Sequence, residues 1–329
     1  MNRGEVVTIY NLYGQFEEIA LLLADTLQRR GYRVARTRDL VYDERLYVLF
    51  GSNVWEDAVL LPHRFIVYQL EQSPIQKWFI PAYFTRLALA LQVWDYNLQN
   101  VAYLRQRGIE AIHLPIGYSP IFDPPATLLA QRESIDVLFL GQLRNTHRQQ
   151  VVAQLRASGL NVVARNDAFG IEKHRLVAQA KVVLNLHYGG KALLEEARIV
   201  PLLASGKVVI SESVRDASYM SLYADYVCFA NDFAQLLALC RQWCACPPRE
   251  RAARGALVRN WVRTSRNVLA LTPWVSIERE APPRVPFYPS LLQVPPATSL
   301  VFVERALHQS NPEWQAQRHY GCRSLMVRI

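Results

Sequence analysis

A segment with the apolar pattern of a strand, followed by one with the pattern of a helix, occurs in each half of this chain. Val6–Tyr10 has the β-branched composition of a strand, Phe16–Arg30 has apolar residues at helical spacing, and Gly31 follows where helices commonly end. The order restarts with the apolar run Ile135–Leu140, and Gln149–Ser158 is the helix that follows it. Strands that alternate with helices in this way form parallel βαβ units. The pattern predicts an α/β fold with two Rossmann-like domains that face each other across a cleft.

A proline-rich break separates the two repeats. Four prolines and one glycine lie between Pro115 and Pro125, and such a segment cannot continue a helix or a central strand. A second change of composition begins at Pro273, after which prolines recur up to Pro296. We therefore predict an N-terminal Rossmann-like domain over residues 1–118 and a C-terminal Rossmann-like domain over 119–272. Residues 273–329 are predicted to form a tail that packs on the domains.

Composition narrows the class of protein and its partners. Of 329 residues, 51% are hydrophobic and 20% charged, as in a packed globular protein. The net charge of +9 favours an anionic partner, such as a nucleotide diphosphate, a membrane surface or nucleic acid, although it also fits an ordinary basic surface. The five cysteines are irregularly spaced and do not predict a disulfide framework.

The sequence also bears on location. Its first residues lack the apolar core of a signal peptide, and no run approaches the ~20 apolar residues that span a bilayer. We expect a cytoplasmic protein, with at most peripheral contact at the inner face of the membrane.

Two loops that follow strands are the strongest candidates for ligand binding. Open α/β sheets bind ligands at the carboxyl ends of their strands. The loop Gly141–Arg148 follows one predicted strand and precedes a helix, so Gly141, Arg144 and Arg148 are predicted to bind phosphate. A solvated polar loop is the alternative interpretation.

The second loop follows the strand Val182–Leu186. Its glycines permit close approach of a ligand to the backbone, its lysine can neutralise a diphosphate, and the acidic residues after it can accept hydrogen bonds from sugar or ribose hydroxyls. For His187, a structural role and a donor contact both remain open. The predicted residues here are Asn185, His187, Tyr188, Gly189, Gly190, Lys191, Glu195, Glu196 and Arg198, with His187 and Glu196 as catalytic candidates.

The segment from Val182 to Glu212 resembles the C-terminal domain of GT-B glycosyltransferases, in the subgroup related to spore-maturation proteins of the CgeB type. The resemblance rests on the apolar strand, the Asn/His loop, the acidic helix and the ending Ala204–Glu212. It implies donor binding by the C-terminal domain, with an acidic residue of the helix contacting the ribose or sugar. Many retaining members carry two glutamates eight positions apart, but this chain has Leu193 and Pro201 there, so the stereochemistry of transfer is left open.

The N-terminal half offers candidates for the acceptor side. Glu71 and Asp95 follow predicted strands, where a general base for an acceptor hydroxyl would lie. A surface position for Glu71 and a capping role for Asp95 are alternatives. Tyr13, Gly14 and Gln15 in the first turn, and Gln72, are further acceptor-side candidates.

The absence of an Asp-x-Asp motif predicts metal-independent chemistry and no metal site. Together these features predict a hexosyltransferase with a UDP- or GDP-sugar as co-substrate, no permanently bound cofactor, and a glycan, lipid-linked glycan or protein as acceptor. A non-catalytic protein that binds nucleotide sugars and a nucleotide-sugar epimerase are alternatives. A nucleic-acid-modifying transferase is disfavoured, because the sequence has no basic stripe with interleaved aromatic residues.

Overall fold

A computed structural model describes residues 6–41, 43–55, 61–73, 79–128, 131–188 and 192–266. The described residues all belong to one compact unit. They form two parallel β-sheets with helices, so the predicted α/β class is confirmed.

The first sheet has six strands in the order β2-β1-β3-β4-β5-β6, all parallel. Its central strand β3 is buried along its whole length, which explains the unbroken apolar run Leu46–Phe50. The strands are β1 (Val6–Tyr10), β2 (Arg33–Thr37), β3 (Leu46–Phe50), β4 (Arg64–Gln69), β5 (Gln92–Asp95) and β6 (Ala111–His113), and the helices are α1 (Glu17–Arg29), α2 (Pro81–Leu89) and α3 (Leu98–Arg105). We call this part the N-terminal half.

The second sheet has five parallel strands in the order β11-β10-β9-β7-β8, and we call this part the C-terminal half. The strands are β7 (Ile135–Leu140), β8 (Val162–Arg165), β9 (Ala180–Asn185), β10 (Val208–Glu212) and β11 (Val227–Ala230). The helices are α4 (Thr146–Ala157), α5 (Gly170–Gln179), α6 (Glu196–Ala204), α7 (Ala217–Tyr223), α8 (Phe233–Ala245) and α9 (Pro248–Ser265). Short 3₁₀ turns occupy Gly14–Phe16, Ser52–Val54, Pro120–Phe122 and Ala126–Leu128.

Helix α4 begins three residues earlier than the sequence predicted. The Asn145 side chain accepts a hydrogen bond from the backbone N–H of Arg148 at 3.1 Å and caps the helix there. Arg148 consequently lies in the first helical turn instead of in the loop. Helices α2, α7 and α9 were not predicted; half of the residues of α9 are polar or charged, five of them arginine, so it gave little apolar signal.

The segment that joins the two halves is buried and held in place. Ile116 and Phe122 belong to the same hydrophobic cluster as residues of both sheets. Arg266, just after α9, donates a hydrogen bond to the Ile116 carbonyl at 3.0 Å and accepts one from the Tyr118 N–H at 2.5 Å. The domain limits 118 and 272 remain predictions, and the tail 273–329 lies outside the described residues. None of the described helices is both long and apolar enough to cross a bilayer.

Candidate functional site

The carboxyl end of β9 gathers polar side chains from three elements. The Asn185 amide donates to the Glu195 carboxylate at 2.8 Å and to the Ser211 hydroxyl at 3.0 Å, while its oxygen accepts a hydrogen bond from Arg198 at 2.8 Å. Asn185 is fully buried and pairs with Ser211 in the sheet register. One strand-end amide therefore fixes both a carboxylate and a guanidinium of the α6 region.

His187 lies next to this amide and contacts the same carboxylate. Its Nδ1 lies 3.1 Å from both carboxylate oxygens of Glu195, and its Nε2 lies 3.2 Å from the Ser213 carbonyl oxygen. The His187 backbone N–H donates to Glu212 at 2.6 Å, and the other Glu212 oxygen lies 2.5 Å from His147 Nε2. We call Asn185, His187, Glu195, Arg198 and Glu212 the β9 cluster.

The electrostatics of the cluster favour an ionised Glu195. Burial raises the pKa of Glu195, but the hydrogen bond and positive charge of His187 outweigh it and bring the pKa to about 2. Burial likewise lowers the pKa of His187, yet the Glu195 hydrogen bond and charge raise it above its ordinary value. Glu195 keeps some exposure, with 14% of its side chain accessible. The Glu195 carboxylate therefore carries a stable negative charge and has lone pairs that can accept further hydrogen bonds.

Glu196 occupies a different environment. Its side chain is completely buried, and its Oε1 accepts hydrogen bonds from the Tyr223 hydroxyl at 2.5 Å and from Arg266 at 2.6 Å. Burial raises its pKa, and within the described part of the chain its Oε2 has no hydrogen-bond partner. The structure does not bring this catalytic candidate to the surface of the site; it places Glu196 in the packing between α6, α7 and Arg266.

Arg198 of the β9 cluster and the neighbouring Arg148 differ in how many of their guanidinium N–H groups are hydrogen-bonded. Arg148 is buried, with hydrogen bonds to the carbonyls of Leu186, His187 and Gln142 at 2.6–3.2 Å, and burial, with the charge of Arg198, lowers its pKa to about 10. Arg198 is half-buried and donates through Nη1; its Nε and Nη2 contact no acceptor among the described residues. Arg198 is the better placed to bind an anion.

The two loops predicted from the sequence lie side by side. The Asn145 amide donates to the Tyr188 carbonyl, and Arg148 lies 5.3 Å from the centre of the Tyr188 ring. Gly141 donates to the Arg165 carbonyl at 2.8 Å, and a Cβ there would lie 2.9 Å from the Phe139 ring. Arg144 is exposed. Gly189, Gly190 and Lys191 lie outside the described residues.

Asp95 forms part of a buried network in the N-terminal half. It accepts hydrogen bonds from the Asn97 N–H at 2.8 Å and from the amides of Gln69 and Asn100 at 3.0 and 3.1 Å. Burial raises its pKa well above the ordinary value. Asn97 is the residue that caps α3. Asp95 thus supports the start of α3 from within the protein.

Glu71 and Gln72 lie where the N-terminal half meets α6. The Gln72 side chain accepts a hydrogen bond from the Leu193 N–H at 2.9 Å. Burial raises the pKa of Glu71, and the positive charge of Arg198 opposes that effect. No described residue donates a hydrogen bond to the Glu71 carboxylate. Glu71 therefore lies near Arg198 with a carboxylate available for a ligand.

Sequence reasoning missed Tyr96, which follows Asp95. Tyr96 is buried, and burial raises its pKa well above the ordinary value; the charges of Asp95, Glu195, Glu196 and Glu71 raise it further. It consequently lies near carboxylates of both halves. Its position directly after a strand was the only available signal, because an aromatic residue there is usually part of the core.

The first turn of the chain packs against the C-terminal half at the start of α5. A Cβ on Gly14 would lie 3.1 Å from the ring of Phe169, which precedes α5. Glu18 and Lys173 form an ion pair beside this contact. Tyr13 is half-buried and Gln15 is exposed. Within the described ranges, no group of three or more His, Cys, Asp or Glu side chains is arranged to hold a metal ion.

Comparisons with solved structures identify the class of fold. HepE from Anabaena, in complex with UDP and glucose, has a TM-score of 0.55 at 10% identity, covering 81% of this chain and 97% of HepE. Sucrose-phosphate synthase from Thermosynechococcus elongatus has a TM-score of 0.52 at 12% identity, covering 81% of this chain and 96% of the synthase. WaaG, a glycosyltransferase involved in lipopolysaccharide biosynthesis, has a TM-score of 0.52 at 12% identity, covering 81% of this chain and 97% of WaaG.

These likenesses establish the fold, which is the GT-B arrangement of two Rossmann-like domains facing across a cleft, as predicted. At the level of sequence, the chain matches no family profile and no curated protein.

Proposed function

We propose that this protein is a glycosyltransferase that moves a hexose from a nucleotide-diphosphate donor to an acceptor hydroxyl. The observation that carries the proposal is the pairing of an ionised carboxylate, Glu195, with a guanidinium that has free N–H groups, Arg198, on the same buried amide of Asn185. A diphosphate needs positive charge and a sugar needs carboxylate acceptors, and here both lie at the carboxyl end of a central strand.

In this proposal the C-terminal half binds the donor. The free N–H groups of Arg198 bind the diphosphate, and Arg144 adds positive charge from its exposed position in the neighbouring loop. Glu195 accepts hydrogen bonds from the hydroxyls of the ribose or sugar. Gly189, Gly190 and Lys191 contribute to diphosphate binding on the evidence of the sequence alone. Arg148 contributes chiefly by joining the two loops that surround the donor.

The N-terminal half supplies the acceptor side. The acceptor oxygen attacks the anomeric carbon, the bond from that carbon to the diphosphate oxygen breaks, and Glu71 takes the hydroxyl proton. A base with a raised pKa and no hydrogen-bond donor of its own among the described residues suits this role. Arg198, opposite Glu71, stabilises the negative charge that develops on the leaving diphosphate.

Several finer features belong to the proposal. UDP is favoured as the nucleotide because HepE binds UDP and UDP-glucose; GDP remains the alternative. Metal independence and the relation to the CgeB subgroup rest on the sequence. The acceptor is a glycan, a lipid-linked glycan or a protein.

Equilibrium binding and turnover together test the proposal. Calorimetry with UDP and GDP should give measurable affinity for UDP, and UDP-glucose should be hydrolysed slowly with release of UDP, with or without EDTA. Arg198→Ala should weaken UDP binding about 10- to 100-fold, the effect of losing hydrogen bonds to a charged group. Arg241→Ala, an exposed arginine of α8, is the matched control and should bind normally.

Two results would decide against this function. Absence of binding to UDP, GDP and their sugars would exclude a nucleotide-sugar enzyme. Tight UDP binding without hydrolysis or transfer to any acceptor would favour the non-catalytic binding protein.

A further inference from the structure

We propose that His187 is a positioning residue: it stays doubly protonated and holds the Glu195 carboxylate in the orientation that binds the donor. The contact with the donor rests on the proposed function, but the protonation of His187 does not. This assignment differs from the catalytic role expected from the sequence, because His187 acts through Glu195 and not on the sugar.

The geometry around the imidazole requires two protons. Nδ1 faces the two carboxylate oxygens of Glu195 at 3.1 Å, and Nε2 faces the carbonyl oxygen of Ser213 at 3.2 Å. A neutral imidazole donates from one nitrogen and accepts at the other. Neither neighbour of His187 can donate to a ring nitrogen, because an ionised carboxylate and a carbonyl only accept. Only the imidazolium satisfies both contacts.

Burial makes this arrangement matter. The His187 side chain is 3% exposed, so water cannot replace a lost partner. A neutral ring would leave one acceptor facing a lone pair and would remove the charge that balances Glu195. The imidazolium therefore fixes both carboxylate oxygens, while the Asn185 amide holds Oε2 from the other side.

The surrounding charges come from every element that packs on His187. Glu195 precedes α6 and Glu212 ends β10; both are acidic and favour the protonated ring. Arg148 of α4 binds the His187 carbonyl, Arg198 of α6 binds Asn185, and His147 of α4 contacts Glu212. The two carboxylates contact His187 directly, through its ring and its backbone N–H, whereas the arginines reach it only through carbonyl or amide groups. The balance of contacts favours the charged imidazole.

The raised pKa of His187 fixes the sign of the pH dependence of stability and of donor affinity. A raised pKa means that folding favours the protonated ring, so the contribution is complete below the ordinary value of 6.5 and is lost as the pH rises through the folded value. Donor affinity should then fall as the pH rises above the pKa of His187, because the neutral ring no longer holds the Glu195 carboxylate and only the Asn185 amide does.

Two measurements on the full chain test the proposal. The first is ¹⁵N NMR of the histidine rings between pH 5 and 9, with His187 assigned from the spectrum of His187→Gln. At pH 6.5, the ordinary pKa of histidine, His187 should still be mostly doubly protonated, and the exposed His63 provides a second assigned ring for reference. Glu195→Gln should lower the pKa of His187 towards 6.5. A ring that is neutral at pH 6 would overturn the proposal, whatever the protein does with nucleotides.

The second measurement is UDP affinity against pH. Wild-type affinity should fall above the pKa of His187, while His187→Gln should bind about 10-fold more weakly at pH 7 and show no such fall. His63→Gln should follow the wild type. A wild-type alkaline fall that persists in His187→Gln would overturn the positioning role. Loss of UDP binding in every variant, wild type included, would overturn the proposed function and leave the NMR result to decide the protonation state.

Discussion

Glu195 and Glu196 are neighbours in the chain, yet their carboxylates lie in separate networks with opposite pKa shifts. Glu195 binds Asn185 and His187, and its pKa is lowered to about 2. Glu196 binds Tyr223 and Arg266, and burial raises its pKa. The start of α6 separates them, because Glu195 is the non-helical residue that precedes the helix and Glu196 is the first residue within it.

The first prediction separates the two glutamates by function. Glu195→Gln should weaken UDP binding about 10-fold or more. The amide has one acceptor oxygen where the carboxylate has two, and it lacks the negative charge that pairs with His187. Glu196→Gln should bind UDP as the wild type does while lowering the melting temperature. Calorimetry and thermal unfolding of both variants check this, and equal loss of affinity would refute it.

The second prediction concerns Glu71. Glu71→Gln removes the proposed base without changing the size of the side chain, so transfer should slow about 100-fold or more while UDP affinity stays the same. Steady-state transfer and calorimetry check this. Glu110→Gln, an exposed glutamate before β6, is the matched control. A Glu71→Gln enzyme with full transfer activity would remove Glu71 from the mechanism.

The third prediction concerns Arg148, which joins the two loops of the donor side. Arg148→Ala removes the guanidinium that donates to the carbonyls of Leu186, His187 and Gln142, so it should lower the free energy of unfolding by roughly 2–3 kcal/mol. Arg144→Ala, in the same loop but exposed, should change it by less than about 0.5 kcal/mol. Urea unfolding measures both. Equal stability of the two variants would contradict the role of Arg148.

The fourth prediction is that replacing a helical glycine by alanine destabilises this protein, which is the opposite of the usual effect. Gly255 lies within α9, where replacement by alanine normally stabilises a helix by about 1 kcal/mol. Here a Cβ would lie 2.1 Å from the backbone oxygen of Gly206, so Gly255→Ala should lower the melting temperature substantially. Ala256→Gly, at the exposed neighbouring position, should cost only about 1 kcal/mol. A stabilised Gly255→Ala protein would show that α6 and α9 are not packed so closely.

The fifth prediction is a pH dependence of stability. Because the pKa of Glu195 is lowered from 4.5 to about 2, its ionised form stabilises the folded protein above pH 4.5, and this contribution is lost as the pH falls towards 2. The stability difference between wild type and Glu195→Gln should therefore shrink from roughly 3 kcal/mol to near zero over that range. Urea unfolding at successive pH values measures it, and a difference that is constant with pH would contradict the lowered pKa.

Local sequence was sufficient for the fold because the central strands of both sheets, such as β3 and β7, are largely apolar runs, although the edge strand β2 is not. The predicted runs Val6–Tyr10 and Ile135–Leu140 match β1 and β7 residue for residue. The order of strands and helices then follows from the parallel βαβ rule. Helix starts were less accurate, as at α4, because the capping role of Asn145 depends on one hydrogen bond that periodicity does not reveal.

The site was predictable only as far as strand ends indicate it. Asn185, His187, Glu195 and Arg198 were found because they surround one loop after one strand. The division between Glu195 and Glu196 depends on Arg266, which is 70 positions further along the chain. Glu71 and Tyr96 also follow strands, but their approach to the C-terminal half depends on tertiary packing, so local sequence could not place either of them near Glu195 or Arg198.

The hydrogen bond between Gln72 and Leu193 joins the end of β4 to the residue two positions before Glu195. Any separation of the two halves must break this bond and pull on the backbone that carries Glu195. In the proposed function, opening of the cleft and release of the nucleotide are then a single mechanical event, and not two independent steps. Nucleotide release should accordingly slow in proportion to solvent viscosity, as expected for a motion of whole domains through the surrounding liquid.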